Sequence, residues 1–131
     1  MDELGTGVLN WDKGERISDR YGMVMLFDQP DPVRKAIRLN RSKVGKRGRL
    51  IAVVRETRES PHIGDLFHGI YPSTPDIGEE IVLGDGILFF FGESVGVLPQ
   101  DRREYFWLNI HSLYRVHNQT VTLFFEEMKV S

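Results

Sequence analysis

The chain has 131 residues, 40% of them hydrophobic and 27% charged, with a formal net charge of −2. These values suit one domain with a modest core. It contains no cysteine, which excludes disulfides, thiolate nucleophiles and thiolate zinc sites together.

Met1-Asp2-Glu3-Leu4 is acidic and leads into no apolar stretch of the kind that directs secretion. No apolar run reaches the length of a membrane span. The expectation is therefore a cytoplasmic protein without a membrane partner. Met1–Arg16 has little periodicity and one large apolar anchor, Trp11, so residues 1–16 read as an N-terminal arm. Such an arm is either loosely attached or reaches a neighbouring subunit. Residues 17–131 read as one domain. Arg20–Phe27 is its first expected strand, ended by Asp28-Gln29-Pro30-Asp31-Pro32, where two prolines forbid regular structure.

Val33–Arg49 has neither a helical nor a strand period, and residues 29–49 read as a long mobile loop. Between Arg34 and Arg58 stand ten basic residues: Arg34, Lys35, Arg38, Arg41, Lys43, Lys46, Arg47, Arg49, Arg55 and Arg58. Glu56 is the one acid there, so this span carries +9 and the remainder −11. One basic segment on an acidic body points to an acidic partner or to neighbouring copies of the chain.

Leu50–Val54 is the second core strand, and residues 55–80, with Pro61, Pro72 and Pro75, read as a structured insertion or long hairpin. Ile81-Val82-Leu83 leads into the most apolar stretch. A Gly84-Asp85-Gly86 turn releases Ile87–Phe91, and Gly92-Glu93-Ser94 turns the chain back into Val95-Gly96-Val97. An apolar run of this length between turns fits a strand buried on both faces. Glu104–Ile110, Leu113–Val116 and Thr120–Met128 read as three more strands, with Val121, Leu123 and Phe125 on one face of the last. The expected core is Leu50, Ile51, Val53, Ile87, Phe89, Leu108 and Leu113. Several short strands with turn signals predict an all-β barrel or sandwich.

No nucleophile elbow and no GxxxxGK[ST] loop occurs. The chain is not expected to be an enzyme or to carry a cofactor. His62/His68 and His111/His117 are each six apart, a spacing that keeps a face on a strand, but surface or turn histidines are the plainer reading. Phe89-Phe90-Phe91 and Tyr105-Phe106-Trp107 admit two readings, an aromatic platform for bases or strand core, and core is the commoner in a small all-β domain.

Taken in order, the pieces are Asp19-Arg20 before a first strand and a long loop, then Arg47-Gly48-Arg49-Leu50-Ile51-Ala52-Val53. Gly84-Asp85-Gly86-Ile87-Leu88-Phe89-Phe90 and Gly92-Glu93-Ser94-Val95-Gly96-Val97 follow, and Glu104–Leu108 with Leu113–Val116 end the series. This order, from Asp19 to Val116, resembles the GroES-like co-chaperonin family. The resemblance implies a single small, partly open irregular β-barrel, with Thr120–Met128 as an extra C-terminal strand. The additions suit a diverged member of the family, a viral one included. The resemblance implies a ring of subunits that caps a chaperonin ring through the mobile loop. Ile37 and Leu39, with Ala36 and Arg38, would be the docking residues, and Arg41, Lys43 and Lys46 would steer the loop. The subunit interface would bring Tyr21, Met23 and Met25 against Leu113, Val116, Val121 and Leu123 of a neighbouring copy. The alternative is a virion structural or nucleic-acid-associated protein on a similar barrel, using the basic segment 34–58. In that case the location is the host cytoplasm or the virion.

Overall fold

The computed structural model describes residues 1–10, 23–29, 33–58, 73–98 and 109–129. Among them are six strands, β1 (Asp2–Asn10), β2 (Val24–Phe27), β3 (Arg47–Glu56), β4 (Glu80–Phe91), β5 (Ser94–Leu98) and β6 (Thr120–Glu127). One helix, α1 (Ile110–Val116), precedes β6. Every pairing is antiparallel, and the hydrogen-bonded order β1-β2-β5-β4-β3-β6 returns to β1, so the single sheet closes into a ring. The all-β expectation holds at this level. The expected partial opening does not, because β1 and β6 pair from Asp2↔Phe125 to Val8↔Thr120.

That closing strand is the segment expected to be an arm. Leu4, Val8 and Leu9 of β1 are buried, but Gly5 and Gly7 interrupt the alternation that would mark them in sequence. Close approach is the reason for Gly7. A side chain there would begin 2.4 Å from the carbonyl oxygen of Phe27 in the adjacent strand, so only glycine lets β2 come this near. Trp11 lies outside the described residues, as do Tyr21, His62, His68, residues 104–108 of the expected strand Glu104–Ile110 and most of the expected insertion; the last two residues of that strand, Asn109 and Ile110, instead cap and begin α1.

β4 runs unbroken through Gly84-Asp85-Gly86, so the expected turn is instead an irregularity within a strand. Its register against β3 steps from Leu50↔Gly84 to Ile51↔Val82, a bulge. Beyond it, Leu88 is buried in the core and Phe90 packs partly against it. Ile87 and Phe89 are half-buried. The expected core positions in this run are thus one residue out of phase, since five consecutive apolar residues carry no alternation from which to read a face. Leu50, Ile51, Val53 and Leu113 are buried as expected.

Leu113–Val116 is helical, not extended. Asn109 caps α1, its side-chain oxygen accepting from the N–H groups of His111 and Ser112. Leu113, Tyr114 and Val116 then pack into the core, a spacing that fits one face of a helix. Arg115 points the other way and forks onto Glu79, at 2.6 Å and 3.0 Å, tying α1 to the chain that enters β4.

The Arg115 bond first, and the Asp76 N–H second, hold the Glu79 carboxyl below its usual range. A carboxyl depressed in the folded state stabilises the fold at neutral pH, and that contribution disappears as pH falls through the lowered value. Glu79→Gln is therefore expected to lower the melting temperature at pH 7 and to flatten its decline below about pH 5. An identical acid limb in both proteins would show that the pair contributes nothing.

The core draws on all six strands, on α1 and on Leu39 from the segment between β2 and β3. That segment and α1 cover opposite mouths of the ring. Residues 33–46 lie where Leu4 and Leu88 accept or donate backbone bonds, while α1 lies near Leu83, Leu9 and Gln119.

Candidate functional site

The expected mobile loop is a strap bonded to three strands. Asp28 N–H donates to Lys35 at 2.9 Å and Ile37 N–H to Leu26 at 3.2 Å, with Ala36 bridging Phe27. Asn40 N–H reaches the Leu4 carbonyl at 2.8 Å, and Gly45 and Lys46 exchange bonds with Leu88 at 2.8 Å and 2.9 Å. Leu39 is only 5% exposed and belongs to the core. Ile37 packs partly against that core, and both side chains fill the space over Gly5. Of the expected apolar anchors, only Ala36 is exposed.

The described residues expected at a subunit interface also turn inward. Met23, Leu113, Val116, Val121 and Leu123 are buried within their own chain, and Met25 is half-buried. β2 pairs with β1 and β5, and β6 pairs with β1 and β3, so neither offers a free edge. Closure has consumed the groups through which edge pairing would proceed.

While Ile37 and Leu39 turn inward, most of the strap's cations turn out. Lys35, Arg38, Arg41, Lys46 and Arg47 are exposed. Two other cations of the basic segment pair with described carboxylates: Lys43 with Glu127 at 3.2 Å and Arg49 with Asp85 at 2.8 Å. In each case the carboxylate's hydrogen bond first, and its charge second, hold the cation above its usual pKa. No described carboxylate pairs with the five exposed cations. Their charges are left to meet an anion.

Arg41 also joins the strap to the tip of the β4–β5 hairpin. Its guanidinium donates to the Gly92 carbonyl and lies 4.6 Å from the centroid of the Phe90 ring. Gly92, in the left-handed region at φ 60°, and Glu93 make the two-residue turn between the paired Phe91 and Ser94. Phe91 is left 67% exposed at that tip. The turn residues after the phenylalanine run are the sequence signal for this exposure. The contact between Arg41 and Phe90 has no such signal, since it joins residues distant in the chain through the fold.

No group of three or more metal-ligating His, Asp or Glu side chains gathers among the described residues, and no described helix is long and apolar enough to cross a membrane. What the described surface offers chemically is a set of cations without a carboxylate partner, and an exposed aromatic ring beside the residues that one of them, Arg41, contacts. Comparison of the chain with protein-family models, with curated proteins and with solved structures finds no match.

Proposed function

We propose that this chain is a binding module for nucleic acid, with the strap and the start of β3 as its contact surface. The support is the set of five exposed cations, Lys35, Arg38, Arg41, Lys46 and Arg47, that no described carboxylate neutralises. Cations presented on a folded frame bind phosphates without reading bases, so affinity falls with salt and depends little on sequence. Replacing Lys35, Arg38, Lys46 and Arg47 together with Gln leaves the core untouched. It should reduce the salt slope of binding to a mixed-sequence oligonucleotide by about 3, at roughly 0.7–0.9 for each phosphate that is no longer neutralised. Fluorescence anisotropy between about 50 and 200 mM salt measures this. An unchanged slope, or a wild-type chain that binds no oligonucleotide at the lower salt, rules the reading out.

A ring-forming co-chaperonin of the GroES-like type is the second reading. The order of segments from Asp19 to Val116 favours it, as does the accessible part of Ile37. It requires Leu39 to leave the core and the strap to release its backbone bonds before docking. Native mass measurement with a purified chaperonin separates the two readings: several copies of this chain riding on the ring would restore the cap.

A further inference from the structure

We infer that Phe91 is a stacking platform for an unpaired base, so that the nucleic acid taken by this surface is a single strand. The inference rests on the nucleic-acid reading above and adds the class of ligand. Phe91 ends β4 at the hairpin tip, 67% exposed, and its ring makes no aromatic or cation contact among the described residues. An aromatic side chain presents a large apolar face, and here that face is open to solvent beside cations.

Arg41 reaches the chain on both sides of Phe91, through the ring of Phe90 and the carbonyl of Gly92. Lys46 is bonded through its carbonyl to Leu88. Arg47 sits across from Ile87, four positions before Phe91 and so about 13 Å along the strand. One ring and three cations therefore lie along one margin of the ring of strands, within reach of a short run of nucleotides. Phosphates would lie along Arg41, Lys46 and Arg47, and the base at the end of that run would lie on Phe91. In a duplex the base faces are already stacked inside the helix, whereas a single strand can lay a base on any aromatic side chain. Glu93, exposed in the turn two positions after Phe91, would repel phosphate from the tip itself. An acidic protein would also satisfy the cations but has no use for the ring.

The test is fluorescence anisotropy of the full chain with three probes: an oligothymidylate, an abasic strand of the same length, and polyglutamate. Phe91→Ala removes an exposed side chain and should leave the melting temperature unchanged. It should weaken oligothymidylate binding about 5- to 150-fold, the measured range for losing one base–aromatic stack, without changing the salt slope. Phe91→Tyr should restore the affinity, and Glu93→Gln should raise it. The abasic strand should bind wild type and Phe91→Ala equally. If Phe91→Ala binds oligothymidylate as wild type does while the charge replacements abolish binding, the stacking platform is overturned and the nucleic-acid reading stands. If polyglutamate binds as tightly as oligothymidylate and Phe91→Ala affects neither, the partner is an acidic protein and both fall. If no probe binds wild type in low salt, both fall as well.

Discussion

Phe125→Ala should lower the stability of the chain by about 3–5 kcal/mol, a large share of what holds a domain of this size together. Phe125 is fully buried in β6, with Asp2 of β1 opposite on one side and Leu50 of β3 on the other. Its ring occupies space that Gly48 leaves empty, because a side chain at Gly48 would begin 2.6 Å from the tip of the ring. Strands bonded on both sides cannot move together to fill the hole, so the cavity term adds to the lost transfer energy. Urea unfolding at neutral pH measures the loss as a lowered midpoint with an unchanged slope. A midpoint like that of wild type would mean that the ring lies outside the core. Phe89→Ala, at a half-buried position, should cost well below this.

Leu39→Ala is the second large effect, at about 2–5 kcal/mol for a buried leucine. Leu39 is the strap's one residue in the core, packed with Ile37 over Gly5. Its removal should also loosen the strap, so that the amide protons of Asn40 and Gly45, bonded to Leu4 and Leu88, exchange faster with solvent. Ile37→Ala should cost less, because Ile37 is only partly buried. Equal and negligible costs at both positions would describe a strap that rests on the surface, and would return weight to a loop that docks through these two residues.

The parts of this fold that are legible in sequence are those where a side-chain period survives. Thr120–Glu127 alternates, and Val121, Leu123 and Phe125 share the buried face as expected. The return from Phe91 through Gly92-Glu93 to Val95 is legible because the turn needs glycine. Three features are not. β1 hides behind Gly5 and Gly7, which serve close neighbours and erase the alternation. The uninterrupted Ile87–Phe91 run reveals a strand but not which of its side chains face inward. Leu113–Val116 is short enough to fit either period, and the cap at Asn109 decides for the helix.

The basic segment is legible as a count of charges and no further. Which cations remain free depends on Glu127 and Asp85, carboxylates 84 and 36 positions from the residues they neutralise. The inward turn of Leu39 likewise depends on Gly5, far away in sequence. Scattered apolar residues without a period suggest a loose loop when the surface they will meet is unknown.

Ring closure has a consequence for synthesis. Thr6 and Thr122, hydrogen-bonded across the β1–β6 seam at 2.8 Å, are 116 positions apart. During translation β1 emerges before the other five strands and its second partner, β6, after them, so the seam stays open until all six are made. Pairings this distant in sequence also form slowly. The aggregation hazard therefore belongs to the nascent chain, which carries strand edges that the finished molecule has paired. β1 is suited to that wait, because Gly5 and Gly7 weaken it as a template for stray strand pairing.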